Sequence, residues 1–421
     1  TYQASMDALL ERNKQQFASK WQNKLLGHMP PCNKASACFP PNKGMYTHIA
    51  ATRMYTYRVL WIDMVLPEPD RDSGSVRTLT MLKLLLGMRC HVSIVSVQKS
   101  GMGRHERYTR MLQFLGVHVI PEFKMLKSFT VREPYDFIVV ARRDTFAAAR
   151  EILHKHYPNT LTVQDTVDLH FMREIARRKF ISDHSNEPSL LEDIFGDEKV
   201  RSRLSNESEH TRLRELELDS IEASSVAIVV SETERVALRS EARSDGRDVP
   251  EIVVVANAHE PQPRTTTPYK ERNGLVFVGN FNHLPNRDAV IYFAKQVLPR
   301  LLRVARVRND PGFVFHVAGA NKIPPSILAL NNTVHDGIVR VIVHGFVPSL
   351  RPLYSQMRIS VAPLRWGAGV KGKVNTAHQL GVPVVCTSIA VDGMHATHGE
   401  HVLLGDTPED LAASVLDAYY N

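Results

Sequence analysis

From residue 58 onward, short apolar runs alternate with longer stretches of helical spacing. Residues 58–63, 91–97, 117–120, 136–141 and 160–163 read as strands, because they are short, apolar and bounded by polar or turn-forming positions. Between them, residues 75–86, 104–115 and 145–156 carry apolar positions at helical intervals and read as amphipathic helices. Residues 175–222 are rich in charge with helical periodicity in parts, which predicts a helical excursion with a mobile piece around 183–188. The strand pattern returns at 226–230 and 251–255. Residues 261–268, with three prolines and three threonines, read as a linker. A second series follows, with strands at 275–278, 313–317, 339–344, 359–362 and 382–386 and helices at 286–302, 350–357, 371–380 and 408–419.

Such alternation predicts parallel β/α units. The expected architecture is α/β, with two doubly wound domains facing each other across a central cleft at the C-terminal ends of their strands, where ligands bind in such sheets. The first domain spans residues 56–260, the linker 261–270 and the second domain 271–421. Residues 1–55 form an appended segment or stem: 6–26 have helical spacing, and Pro30-Pro31 and Pro40-Pro41 then break any regular element.

The stretch Pro363-Leu-Arg-Trp-Gly-Ala-Gly-Val-Lys-Gly-Lys373 carries the most chemistry. A buried strand leads into a loop with Gly367, Gly369 and Gly372, and a helix follows. Glycines let the backbone approach a ligand, and the N–H groups at a helix start attract anions. Arg365, Lys371 and Lys373 bring cations to the same place, so the stretch describes a diphosphate pocket, although a Gly-rich turn with surface cations would read alike. In the first domain Ser73, Gly74 and Ser75 form a small-residue loop at a helix start, suited to an acceptor or a phosphate, with Arg77 one turn inside and able to reach an acidic acceptor. Ser73 or Ser75 serving only as a helix cap is the plainer alternative. His170 follows a strand end, close to Asp165 and Asp168, which could orient it. Gly279 ends the second domain's first strand, beside Asn280 and Asn282, which bind a ligand or simply form a turn.

Composition narrows the class. With 43% hydrophobic and 23% charged residues the chain is an ordinary globular protein. No run of eighteen apolar residues is present to read as a transmembrane helix. The net charge of +8 favours anionic partners and leaves a peripheral membrane contact open. Nucleic acid is disfavoured, since the basic residues are scattered rather than striped with aromatics. Of the four cysteines, Cys90 and Cys386 read as core thiols, while Cys32 and Cys38 stand either bonded or free. There is no phosphate-binding Gly-x-x-x-x-Gly-Lys-Ser/Thr loop, no Gly-x-Ser-x-Gly elbow, no zinc-like His/Cys spacing and no Asp-x-Asp metal motif.

Several segments together resemble the family-4-like glycosyltransferases of the GT-B fold. They are Val278-Gly-Asn-Phe-Asn-His-Leu-Pro-Asn-Arg-Asp-Ala289, Phe315-His-Val-Ala-Gly319, His344-Gly-Phe-Val-Pro-Ser-Leu350, the 365–373 stretch, Gly381-Val-Pro-Val-Val-Cys-Thr-Ser388 and Ala390-Val-Asp-Gly-Met394, in the family's order. Asp70-Arg-Asp-Ser-Gly-Ser75 and Asp165-Thr-Val-Asp-Leu-His170 add to this in the first half. The resemblance covers roughly residues 57–418 and implies two Rossmann-like domains. It implies a sugar moved from a nucleotide-diphosphate donor, a UDP- or GDP-sugar bound by the second domain, to a hydroxyl of a glycan, glycoprotein or lipid held by the first. It also implies retention by front-face attack, no tightly bound cofactor and no metal. By the same resemblance Arg365 and Lys371 neutralise the diphosphate, and the segment of His170 lies near the cleft, where His170 acts in catalysis or contacts the sugar; Asp392 with Gly393 either approaches the sugar ring or is only a turn after Ile389. The family's two donor-site glutamates would fall at Ala368 and Thr376, and both carboxylates are absent. Thr376 or Asn375 could then hydrogen-bond the ribose. That absence motivates one alternative on the same fold, a non-catalytic sugar-nucleotide-binding subunit; a sugar-nucleotide epimerase is a further alternative. The compartment stays open between cytoplasm, membrane surface and, if a leader or anchor preceded Thr1, the Golgi lumen.

Overall fold

The computed structural model describes residues 55–99, 101, 103–127, 135–196, 207–259, 263, 267–319 and 321–421. Most of the expected stem, Cys32, Cys38 and half of the expected linker lie outside the described residues.

The first sheet consists of β1 (Tyr57–Asp63), β2 (Cys90–Ser96), β3 (His118–Val119), β4 (Phe137–Ala141), β5 (Leu161–Asp165), β6 (Val226–Val229) and β7 (Glu251–Val254). Its order is β3-β2-β1-β4-β5-β6-β7, all parallel. The central strand β1 holds Val59, Leu60, Trp61 and Ile62 at 0% exposure, which requires cover on both faces. Helices α1 (Ser73–Gly87) and α2 (Arg104–Phe114) cover one face, and α3 (Arg143–His156) covers the other.

The second sheet joins β8 (Leu275–Val278), β9 (Phe315–Ala318), β12 (Val341–Gly345), β13 (Ile359–Ala362), β14 (Val384–Cys386) and β15 (Leu403–Leu404). Its order is β12-β9-β8-β13-β14-β15, again parallel. A small hairpin of β10 (Val334–His335) and β11 (Ile338–Val339) stands apart. In each sheet the first strand has the second on one side and the fourth on the other, so the winding reverses between β1 and β4 and between β8 and β13. At such a reversal the connecting loops part and leave a crevice.

The helix expected over 286–302 is interrupted. It runs as α8 (Leu284–Tyr292), widens into a π turn at Phe293–Val297 and resumes at Leu298–Leu301. Pro299 has no N–H to return to the preceding turn, which accounts for the break.

The described residues of the charged excursion form helices. These are α4 (His170–Asp183), α5 (Pro188–Phe195) and α6 (Glu207–Glu222), and the expected mobile piece at 183–188 is a tight connection between α4 and α5. There His184 stacks on Phe180 at 4.1 Å, and its Nδ1 lies 2.9 Å from the Phe180 carbonyl. Phe180, Leu191, Ile194 and Phe195 belong to the hydrophobic core of the second domain rather than their own. Their packing partners are remote in sequence, so periodicity alone gave no sign of that burial. The remaining helices that matter for the site are α7 (Glu232–Ser244), α9 (Leu350–Gln356), α10 (Gly372–Gln379) and α11 (Pro408–Tyr420). Cys90 and Cys386 are buried free thiols.

Candidate active site

The two crevices face each other and enclose a cavity of about 600 Å³. Its first-domain wall is the loop after β1 and the start of α1, the turn after β4, and the 167–173 segment. Its second-domain wall is the turn after β8 with the start of α8, the 346–350 segment, and the glycine loop leading into α10.

The N-termini of α1 and α10 meet across this cavity. A Cβ at Gly372 would stand 2.8 Å from the Cβ of Ser73, so only glycine permits the approach. Both helix ends present N–H groups and the positive end of a dipole. Asp72 caps α1, its carboxylate accepting from the Ser75 backbone at 2.8 Å and from the Ser75 hydroxyl at 2.8 Å.

Lys371 and Lys373 flank the start of α10, half-buried in the cavity wall. The Lys371 ammonium donates to the Gly369 carbonyl. Lys373 Nζ donates to Asn286 Oδ1 at 2.7 Å and lies 5.1 Å from the centre of the Phe277 ring. Desolvation lowers Lys371 to about 8, against the attraction of Asp392, Asp168 and Glu234. Desolvation, with Lys371 beside it, lowers Lys373 to about 7. Neither lysine has a carboxylate partner, but Lys371 feels three nearby carboxylates and Lys373 none, so the charge of Lys373 is the less compensated of the two.

On the opposite wall His170 Nε2 lies 3.3 Å from Asp168 Oδ1, and Arg173 Nη1 lies 3.2 Å from the other oxygen. Burial works against the Asp168 charge, but Arg173 and His170 outweigh it and hold the carboxyl well below its usual range. The segment is fixed from behind by two buried carboxylates. Glu217 accepts from the N–H groups of His170 at 3.0 Å and Phe171 at 2.9 Å. Glu234 accepts from Leu169 at 3.4 Å and from Val230 at 3.0 Å, and burial raises it to about 7. Arg142, at the end of β4, reaches Asp63 and arches over Gly74, where a Cβ would stand 2.6 Å from its Nη2. It holds this position with φ 71, a left-handed conformation that is unfavourable for a side-chain-bearing residue.

Residues 272–421 match the family model described as "Glycosyl transferases group 1". The match covers the second domain alone, and the likeness there is to that family. Comparison with curated proteins gives no match. Among solved structures, a mutant of S. aureus TarM in complex with fondaparinux, alpha-GlcNAc-glycerol and UDP is similar over 87% of this chain and 93% of its own, with TM-score 0.59 and 9% identity. Anabaena HepE in complex with UDP-glucose is similar over 86% and 90%, with TM-score 0.52 and 12% identity. Sucrose-phosphate synthase from Thermosynechococcus elongatus is similar over 86% and 89%, with TM-score 0.51 and 12% identity. The fold is GT-B, with two parallel-sheet domains and a cleft between them.

Within the cleft lie Ser73, Gly74, His170, Gly279, Asn280, Gly369, Lys371, Lys373 and Thr376 of the residues singled out from sequence. Four others are elsewhere. Arg77 is 2% exposed and saturated, donating to Asp165 at 2.9 Å, the Val255 carbonyl at 2.7 Å and Asn257 at 3.1 Å. Its helical position turns it under α1 rather than toward an acceptor. Ser75 is also buried, and Asp72, not a serine, is the cap. Asp392 is absent from the cleft wall and accepts from Thr233 of the first domain at 3.4 Å.

Arg365 lies beneath the glycine loop rather than in the cleft. It pairs with Asp288, which is 0% exposed, through Nε at 3.2 Å and through Nη2. It also sits between the rings of Tyr292 and Phe180, at 4.6 and 5.0 Å. A guanidinium beside a fully buried carboxylate is held there, because separating them would strand a charge. Of the expected pair, Lys371 lines the cleft with Lys373 beside it, and Arg365 does not.

Sequence reading missed Arg142, Arg173, His283 and Asn286, all of which line the cleft. Asn286 follows a proline in the motif that opens the second domain, and that context was the available signal. Arg142 carried none, since its conformation depends on the turn. Among the described residues no group of three or more His, Cys, Asp or Glu is placed to hold a metal ion, and no helix is long and apolar enough to cross a membrane.

Proposed function

We propose that this chain is a retaining glycosyltransferase that moves a sugar from a nucleoside diphosphate sugar to a hydroxyl acceptor. One observation carries the reading: Lys371, Lys373 and the N-termini of α1 and α10 converge on one point of the cleft. Breaking a sugar–phosphate bond leaves negative charge on the diphosphate, and preorganised cations and N–H dipoles stabilise it. HepE and TarM were crystallised with UDP-glucose and with UDP, which supports a uridine nucleotide as the donor's leaving group. Thr376, whose hydroxyl donates to the Gly372 carbonyl at 2.9 Å, has its oxygen's lone pairs to offer a ribose hydroxyl. Gly279 and Asn280 line the same side, and Asp168-ordered His170 faces the sugar from the other. The acceptor hydroxyl attacks from the face the diphosphate leaves, and a departing phosphate oxygen takes its proton. The acceptor belongs among glycans, glycoproteins and lipids.

The test is transfer from UDP- and GDP-sugars to a panel of hydroxyl acceptors, with the product anomer read by proton NMR. Product of the donor's own anomeric configuration is expected, and the inverted anomer would refute retention. A second reading, a binding subunit without turnover, draws on Ala368 and Thr376. Both line the cleft, so the positions where the family's glutamates would stand face the ligand without carboxylates. Donor binding with no product from any acceptor would favour that reading.

Affinity should also depend on pH in a defined direction. A diphosphate favours both lysines charged, whereas in the free protein they begin to lose protons near 7 and 8. Binding above pH 7 must then take up protons, so the dissociation constant for UDP should rise at least about tenfold between pH 7 and 9. Calorimetry at pH 8 in two buffers of different ionisation heat would reveal the uptake. The ligand-free fold responds oppositely. Its lysine pKa values are depressed, so the unfolded chain holds more protons above pH 7, and rising pH favours the native state.

A further inference from the structure

The second domain's glycine loop rests on side chains supplied by the first domain. Trp366, between Arg365 and Gly367, is 4% exposed and lies under the loop rather than in the cleft. Phe180 of α4 stacks on it at 5.4 Å with 28° between the planes, and Phe195 of α5 stacks on it at 5.7 Å and 27°. Phe180 also carries His184 on its ring and lies 5.0 Å from the Arg365 guanidinium, while His184 Nε2 lies 3.2 Å from Arg365 Nη1. The two residues that precede the loop's glycines are thus held by α4 and α5.

The same arm is anchored well away from the loop. Lys295 Nζ reaches Asp193 at 2.7 Å, and the Ser326 hydroxyl donates to the Asp193 carbonyl at 3.0 Å. Leu191 and Ile194 fill the second domain's core without an aromatic contact to Trp366. At its other end α4 begins with His170 and carries Arg173 into the cleft. One helix of 14 residues therefore links acceptor-side groups to the support of the donor-side loop.

We infer that Phe180 and Phe195 are positioning residues for nucleotide binding, acting through Trp366 to hold the glycine loop where Lys371 and its backbone N–H groups meet the diphosphate. Stacked rings transmit position because close-packed interiors leave little room for compensation. A loop displaced by about 1 Å loses aligned N–H contacts although no ligand-touching residue has changed.

This inference rests on the proposed nucleotide site, and the experiment separates the two. Calorimetry with UDP would be run on the full chain, on Phe180→Ala, on Leu191→Ala and on Phe180→Tyr, with thermal unfolding of each. Phe180→Ala and Leu191→Ala should both lower the unfolding temperature, since each empties core volume. Only Phe180→Ala should weaken UDP binding, by at least about tenfold, with Leu191→Ala within about twofold of wild type and Phe180→Tyr within about threefold. If Phe180→Ala binds UDP as wild type does, or if both alanine variants lose affinity equally, the positioning role is overturned while the nucleotide site stands. If the wild-type chain binds neither UDP nor GDP, the nucleotide site falls and the positioning role with it.

Discussion

Lys373→Met should abolish the stabilisation that UDP confers on this protein while leaving the ligand-free chain at least as stable as wild type. A ligand at a hundred times its dissociation constant adds about 2.7 kcal/mol, so its loss is readily seen in thermal unfolding. Turnover should fall by roughly 10²- to 10³-fold, the scale of removing one preorganised charge partner at a reacting centre. The asymmetry follows from the surroundings of Lys373. Its ammonium is desolvated against the Phe277 ring and meets the amide of Asn286, so the free protein maintains a poorly compensated charge that only an anion relieves. Methionine matches the length of most of that side chain without the charge. A variant that still responds to UDP like wild type would remove Lys373 from the donor site, and one that unfolds early would make its role structural.

Arg365→Ala should have a different signature: a loss of about 3–5 kcal/mol of stability, because Asp288 would be left buried without its partner. Replacing both partners with apolar residues, as in the double variant Arg365→Met with Asp288→Leu, should recover most of that loss, since a buried ion pair is often matched by packed hydrophobes. The double variant should also bind UDP within about threefold of wild type. Chemical unfolding measures the first effect and calorimetry the second. An Arg365 that contacts diphosphate would give a folded double variant with UDP affinity lost, and that result would return it to the donor site.

Much of the fold was legible before any coordinates. The β/α alternation marked most strands, because a parallel strand covered on both faces must be largely apolar, as in β13, where all four residues are buried, and in the buried 59–62 stretch of β1. The short β15 escaped notice, since a two-residue ladder leaves no periodicity to read. The glycine loop was legible because its spacing is local, and so were the lysines at the start of α10. The partner of each cation was not legible. Arg77 and Arg365 look like ligand-binding arginines until Asp165 and Asp288 are found beside them, 88 and 77 residues away in the chain.

The sequence by itself determined where most of the strands and helices fall, that they form two parallel sheets, and which glycines and lysines stand at one helix start. These follow from periodicity and backbone freedom, which act over a few residues. The tertiary structure decided which cations remain available to a ligand, that α4 and α5 pack into the other domain, and that Phe180 and Phe195 support Trp366. Those outcomes depend on burial and on charge pairing between residues far apart in the chain. In a desolvated interior an arginine is held by whichever carboxylate the fold brings to it, and no spacing along the chain encodes that meeting.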